Sequence, residues 1–480
     1  MKIAIIGAGP GGLCMGIRLK EAGFNDFVIL EKGQGVGGTW YHNRYPGCAV
    51  DLPSYLYSFS FEKKYDWTRP YAPQPELLAY MEGIAEKYDL LGHCRFDSEV
   101  TRAAWQEDTA SWQLDLATGD TLDANVVVSA VGMFNDLTYP DLKGLADFEG
   151  PCFHSARWDW DVPLEGQRIG VVGSAASAVQ IVPELVDVAK QVHLFQRTAN
   201  WIIPKEDEPY TEEELAAFRL DPSELEAKRG EMFRTIDEGM TFANTDVMKE
   251  IEGYGDMLRS QVQDPEVREK LRAHHPYGAK RPLVSNRFYP AFNEPNLELV
   301  TDVIQNVTKT GLVTSDGQER EVDLLVLATG FSATKYLSAL DVRGREGLHI
   351  NDAWADGASA FLGMTTAGFP NLFMLYGPNT NNGSILQMLE YQTLHVLGHV
   401  KSLAKDGVDW VDVKPERQTA YNEQIQTAIA GIPVWNHEVN GYYKTASGRV
   451  VTQWPFSMTE FREMTEQVEP SDYSVGARPS

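Results

Sequence analysis

One supersecondary unit is written twice in this chain. Residues 3–31 read as strand, glycine turn, helix, strand and an acid; residues 168–197 read as strand, glycine–alanine turn, helix, strand and an arginine. Each unit is followed much later by a hairpin-rich stretch ending in an apolar run and a glycine, Val126 to Gly132 in the first and Leu324 to Gly330 in the second. Uniformly apolar runs suit strands buried on both faces of a parallel sheet. The expected fold class is therefore α/β, with two nested Rossmann-like domains, the second interrupting the first. A length of 480 residues gives both an ample core.

The expected divisions are 1–146 and 331–480 for the outer domain and 147–205 and 276–330 for the inner one, with a helical insert at 206–275. The insert is acidic and rich in helix formers, with helix starts at Thr211 with Glu214, at Asp221-Pro222 and at Asp264-Pro265. The segment 133–160 reads as a linker, and the tail from about 468 reads as a frayed end.

The first glycine loop is Gly7-Ala8-Gly9-Pro10-Gly11-Gly12. Gly7, Gly9 and Gly12 fill the G-x-G-x-x-G pattern: a tight turn, close approach of a pyrophosphate, and close helix–strand packing. The following helix start offers free N–H groups to phosphate. The next strand, Phe27 to Leu30, ends at Glu31, placed to accept from a ribose hydroxyl and to repel a ribose phosphate. FAD or NAD fits this loop; NADP does not.

The second loop, Gly173-Ser174-Ala175-Ala176-Ser177-Ala178, keeps the first glycine only. Ala178 is an allowed replacement at the third place, whereas Ala175 sets a methyl where a pyrophosphate should approach. The strand that follows ends in Gln196-Arg197-Thr198, and arginine in place of glutamate suits the 2′-phosphate of NADPH. Lys280, at the return from the insert, is a candidate second clamp.

Residues 37–51 contain Gly37, Gly38, Trp40, Tyr45, Pro46, Gly47 and Asp51, and residues 148–159 contain Phe148, Gly150, His154, Trp158 and Asp159. These fill two long fingerprints, G-G-x-W-x4-[FY]-P-G-x3-D and F-x-G-x-x-x-H-x-x-x-W-[PD]. On them the chain resembles the type I Baeyer–Villiger monooxygenases, class B flavoproteins, over nearly its whole length. The resemblance implies bound FAD and NADPH, with dioxygen and a small-molecule ketone as substrates. One oxygen would enter beside the carbonyl, through a flavin peroxide, to give an ester or lactone.

Residue by residue, the resemblance implies that Arg281 stabilises the anionic peroxide and the adduct, and that Asp51 orients Arg281 and the nicotinamide. Arg197, Thr198 and Lys280 would hold the 2′-phosphate. Gly38, Thr39, Trp40 and Tyr45 would contact cofactor, as would Ser174, Ala176 and Ser177 of the second loop. Asn379, in the polar loop Gly377 to Gly383, would lie near the flavin ring. His154 would couple domain positions rather than transfer protons. Trp435, Tyr442, Tyr443 and Trp454 could wall a substrate pocket or be ordinary core.

Two other readings stay open from the residues alone: an amine- or sulfide-oxidising flavin monooxygenase, and a slowly turning-over flavin redox scaffold, the latter suggested by Ala175. The net charge of −26 disfavours nucleic acid and anionic membranes. No window reaches the ~18 apolar residues of a membrane span, and no signal peptide is read. Cys14, Cys48, Cys94 and Cys152 form no C-x-x-C pair or zinc knuckle, so no metal site is expected, and they suit a reducing, cytoplasmic setting. Monomer and homodimer both remain open.

Overall fold

The first run, Ile3–Ile6, and its counterpart Arg168–Val172 each become the middle strand of a five-stranded parallel sheet. The computed structural model describes residues 1–405, 407–439 and 441–478. In the first sheet the order is Leu372–Met374, Val126–Ser129, Ile3–Ile6, Phe27–Leu30, Cys94–Arg95, all parallel. In the second it is Leu297–Val300, Gln191–Phe195, Arg168–Val172, Leu324–Leu327, Cys152–His154, again all parallel. The uniform apolarity of Val126–Ser129 and Leu324–Leu327 has its cause here, since every residue of both strands is buried.

Helix Pro10–Glu21 packs between the first sheet and the long helix Ile385–Leu403, so Leu13, Ile17, Leu386 and Val396 are fully enclosed. Helix Ala176–Val186 covers the second sheet with Val179, Ile181, Val182 and Leu185. The hairpin stretches form separate antiparallel sheets. One contains Val100–Gln106, Ser111–Leu116 and Thr121–Ala124, with Asp341–Arg343 added in parallel; the other contains Ile304–Val307, Gly311–Thr314 and Glu319–Glu321.

Four helices fill the insert: Glu212–Leu220, Ser223–Gly239, Thr245–Arg259 and Pro265–Lys270. Thr211 and Glu214 form a reciprocal capping box, and Asp264 caps the last helix by accepting from Glu266 N (2.8 Å) and Val267 N (3.2 Å). At the middle start Pro222 itself is the N-cap, and Asp221 accepts from Ser223 N at 3.0 Å. Helix Ser223–Gly239 docks on the first lobe: Arg229 donates to Ser58 Oγ and Ser58 O (3.1 Å each), and Lys63 pairs with Glu226 (2.7 Å).

Two expectations are corrected. The segment 133–160 is not all linker, because Cys152–His154 is the edge strand of the second sheet, in register with Leu325–Leu327. The tail is not frayed from 468: Tyr473–Gly476 pairs antiparallel with Trp410–Val413, and Tyr473 is buried against Phe361. Four ladder pairs and one buried aromatic ring satisfy a short segment whose polar surroundings in sequence suggested none.

The chain crosses between its lobes twice, and the crossings are stitched together. Leu137 bridges Phe331, Thr138 N donates to Gly330 O (2.9 Å), and Ser332 N donates to Asp136 O (2.9 Å).

Candidate active site

Both glycine turns are built alike. Gly7 has φ +105° and Gly173 φ +108°, and a Cβ would lie 2.7 Å from Ala130 O at the first and 2.3 Å from Ala328 O at the second. Each turn is thus pressed against the end of its neighbouring apolar strand, and only glycine fits. Gly12 is equally obligatory, since a Cβ there would sit 1.9 Å from Gly7 O.

Gly9 differs. Its Cβ would meet no protein atom closer than 3.5 Å, so the bare backbone leaves room for a ligand rather than for the fold. Ala175 holds the same place in the second loop with φ −92°, ψ −160°, close to the −76°, −175° of Gly9. Alanine adopts this extended conformation without strain, so the departure affects approach and not backbone shape. Neither helix has a side-chain cap at its start, and the first-turn N–H groups stay free for an anion.

The two loops open on one cavity of about 620 Å³. Of the expected residues, Gly7, Gly9, Glu31, Gly38, Thr39, Trp40, Tyr45, Asp51, Ala175, Ala176, Ser177 and Arg281 line it. Glu31 is buried at the end of its strand and accepts from Ala8 N (2.8 Å) and Gly33 N (2.7 Å). Trp40 Nε1 donates to Tyr57 Oη at 3.2 Å. Tyr45 reaches across the lobes, its hydroxyl donating to Gln180 Oε1 (2.9 Å), while Gln180 Nε2 donates to Ala49 O (3.0 Å). Gln180 gave no signal in sequence, being one of three polar residues on a mostly apolar helix.

Arg281 and Asp51, 230 positions apart, meet in this cavity. The guanidinium donates from Nε (2.9 Å) and from Nη2 to Asp51 Oδ2, and from Nη1 to Tyr442 Oη (3.4 Å). Enclosure by protein opposes the positive charge, but the Asp51 carboxylate and Tyr442 more than offset it, and the net effect holds Arg281 well above the ordinary arginine range.

Other expected residues lie outside the cavity wall. Gly12, Gly173 and Ser174 shape the turns behind it, Ser174 donating to Thr198 O at 3.2 Å. Arg197 and Thr198 are exposed. Lys280 is half-buried, and burial together with the Arg197 cation pushes its amine below the usual lysine range. Among the described residues neither cation has an ion-pair partner.

Asn379 donates its amide to Val450 O (3.1 Å) and Gln453 O (3.0 Å), bracing the carboxy-terminal loop, and lies behind the cavity wall. Of the four carboxy-terminal aromatics only Tyr442 lines it; Trp435, Tyr443 and Trp454 are core, each less than 5% exposed.

The second fingerprint packs rather than reacts. His154 is 1% exposed; Nδ1 accepts from Ala156 N (3.1 Å), so Nε2 carries the proton and donates to Gly330 O (3.1 Å). Burial lowers its pKa and keeps the ring neutral. It lies edge-on to Tyr139 and Phe331, one from each crossing. Trp158 packs on Phe153, Phe148 joins the outer cluster of the second lobe, Gly150 fits under Asp323 O, and Asp159 accepts from Asp161 N.

A family model described as pyridine nucleotide-disulphide oxidoreductase matches residues 4–254. A Baeyer-Villiger monooxygenase of Pseudomonas aeruginosa is 40% identical over 491 residues, covering 100% of this chain and 92% of its own length. The chain belongs to the Baeyer–Villiger monooxygenases. A second member of this family, from Streptomyces coelicolor, is 39% identical and covers 99% of this chain and 92% of its own length. Among solved structures, cyclohexanone monooxygenase from Rhodococcus sp. Phi1 bound to NADP+ superposes with a TM-score of 0.89 at 30% identity, over 99% of each chain. An oxidised steroid monooxygenase bound to NADP gives a TM-score of 0.88 at 29% identity, over 100% of this chain and 99% of that one. Among the described residues of this Baeyer–Villiger monooxygenase, no helix is long and apolar enough to cross a membrane.

Proposed function

We propose that the chain binds FAD and NADPH and uses dioxygen to insert one oxygen atom beside a ketone carbonyl. Ketone, dioxygen, NADPH and a proton give an ester or lactone, NADP+ and water. The observation that carries this reading is the Arg281–Asp51 pair in the cavity onto which both glycine loops open. Relatives bound to FAD and NADP support the cofactors, and a cyclohexanone monooxygenase bound to ε-caprolactone supports the ketone.

Residues 1–146 and 331–480 would hold FAD, residues 147–205 and 276–330 NADPH, and residues 206–275 would brace both sides, through Arg229 on the first and Leu258, Val262 and Leu271 on the second. The bare backbone at Gly9 and the free N–H groups of helix Pro10–Glu21 fit a pyrophosphate, and Glu31 keeps lone pairs for a ribose hydroxyl. Arg197 and Lys280, two neighbouring cations without an acid, fit a 2′-phosphate, with Thr198 beside them.

Bound FAD supplies electron transfer from NADPH and the activation of dioxygen. The protein's part is position and field. Arg281 stays charged at any working pH and holds the negative charge that gathers on oxygen as the carbonyl is attacked, about 3–4 kcal/mol per such donor. Asp51 aims the guanidinium and balances its charge in the resting enzyme. Trp40, Tyr45 and Tyr57 help to exclude water.

Turnover under 18O-labelled dioxygen tests the reading. One heavy atom is expected in the ester and one in water; an ester without label contradicts it.

A further inference from the structure

Arg281 has more bonding capacity than Asp51 uses. Nε and Nη2 both reach Asp51 Oδ2, while Nη1 points to Tyr442 Oη at 3.4 Å. A guanidinium only donates, so Tyr442 is the acceptor in this contact. A phenol carries one proton, and with its lone pair turned to Arg281 that proton points elsewhere. Among the described residues nothing accepts it, and Tyr442 lines the cavity beside Arg281 and Asp51. The ring is held edge-on by Phe134 (5.7 Å) and Tyr443 (5.0 Å).

The other cavity tyrosines are engaged differently. Tyr336 donates to Val451 O (3.1 Å), Tyr376 to Asn381, and Tyr45 to Gln180 (2.9 Å), while Tyr57 accepts from Trp40 (3.2 Å). None of these four is hydrogen-bonded to Arg281.

We propose that Tyr442 is a second donor to the ketone: its hydroxyl donates to the carbonyl oxygen while Arg281 holds Oη. This rests on the ketone reading given above. The proton stays on the phenol throughout, and the hydrogen bond strengthens as the carbonyl oxygen gains negative charge. Donation from Arg281 polarises the hydroxyl and makes it a better donor, so Asp51, Arg281, Tyr442 and the carbonyl form one chain. A thioether sulfur accepts weakly, so the same hydroxyl favours ketones over sulfides.

The test is Tyr442→Phe in the FAD-loaded enzyme, which keeps the ring and its aromatic contacts. The infrared C=O stretch of a bound 13C-labelled cyclic ketone is read together with kcat and KM for that ketone and for a thioether. In the unmodified enzyme the bound stretch lies at lower frequency than in the variant. Ketone kcat/KM falls about 100-fold, mostly in kcat, and the thioether-to-ketone ratio rises. Equal stretches in the two proteins, or unchanged ketone kcat/KM, would overturn the proposal. Should the unmodified enzyme make no ester yet show the lowered stretch that the variant loses, the ketone-oxidising reading fails while Tyr442 as carbonyl donor stands.

Discussion

Glycines of one loop can be held in place by different things. Gly12 is required by the fold, because a Cβ would overlap Gly7 O; Gly9 is required by whatever approaches it. Gly12→Ala is therefore expected to lower the melting temperature of the flavin-free protein steeply. Gly9→Ala is expected to leave that temperature unchanged and weaken FAD binding, read by flavin fluorescence. Arg197→Ala removes one of two unpaired cations, and the NADPH-over-NADH ratio of kcat/KM should narrow by about 10-fold or more. Arg281→Ala should reduce ester formation at least ~100-fold and spare a larger share of thioether oxidation. Residues with a motif around them were legible where the structure places them at the cavity: residues of both loops, and Asp51 in its fingerprint. Tyr442 was visible only as an aromatic, because its contact with Arg281 spans 161 positions and no local pattern announces it. Asn379 stands in a polar loop before a helix, a pattern that reads as a ligand loop, and the bracing role of its amide had no local signal because its acceptors lie 71 and 74 positions away.

Elements were read well where their ends carry chemistry. The capping box at Thr211 states the start of helix Glu212–Leu220 in four residues, and Thr211→Ala should cost about 1 kcal/mol in urea unfolding. Short elements completed by distant partners were not legible. Cys152–His154 needs Leu325–Leu327, and Tyr473–Gly476 needs Trp410–Val413; three or four residues have too little periodicity to announce a strand alone. Asp412 gives the second of these pairings a pH signature. Burial raises its carboxyl to about 6, although Gly368 N and Arg345 pull it down. A folded pKa above the unfolded value of about 3.9 contributes stability that is complete at lower pH and lost as pH rises through about 6. The melting temperature of Asp412→Asn minus that of the unmodified protein should therefore grow from pH 4 to pH 7. A difference that stays flat contradicts this account of Asp412.

At the scale of the whole molecule, the cavity is made by two lobes meeting. They approach closely at Gly47, which has φ +74° and where a Cβ would lie 2.6 Å from Gln180 O on the helix of the second loop. This gives the Tyr45-Pro46-Gly47 portion of the fingerprint a physical cause: tyrosine bonds Gln180, and glycine lets the backbones close. Gly47→Ala should wedge the lobes apart, admit water, and raise hydrogen peroxide formed per NADPH while FAD content stays normal. The nesting of the lobes was legible from the repeated unit. Their closeness was not, because it depends on pairs such as Tyr45 with Gln180, 135 positions apart.

The central claim is that the Arg281–Asp51 pair serves oxygen insertion beside a carbonyl. The measurement that tests it most directly is product mass from the purified enzyme with NADPH, dioxygen and a panel of cyclic, linear and aryl ketones plus one thioether. At least one ketone is expected to gain a single oxygen as an ester or lactone. A sulfoxide with no ester from any ketone would contradict the account and assign the site to heteroatom oxidation.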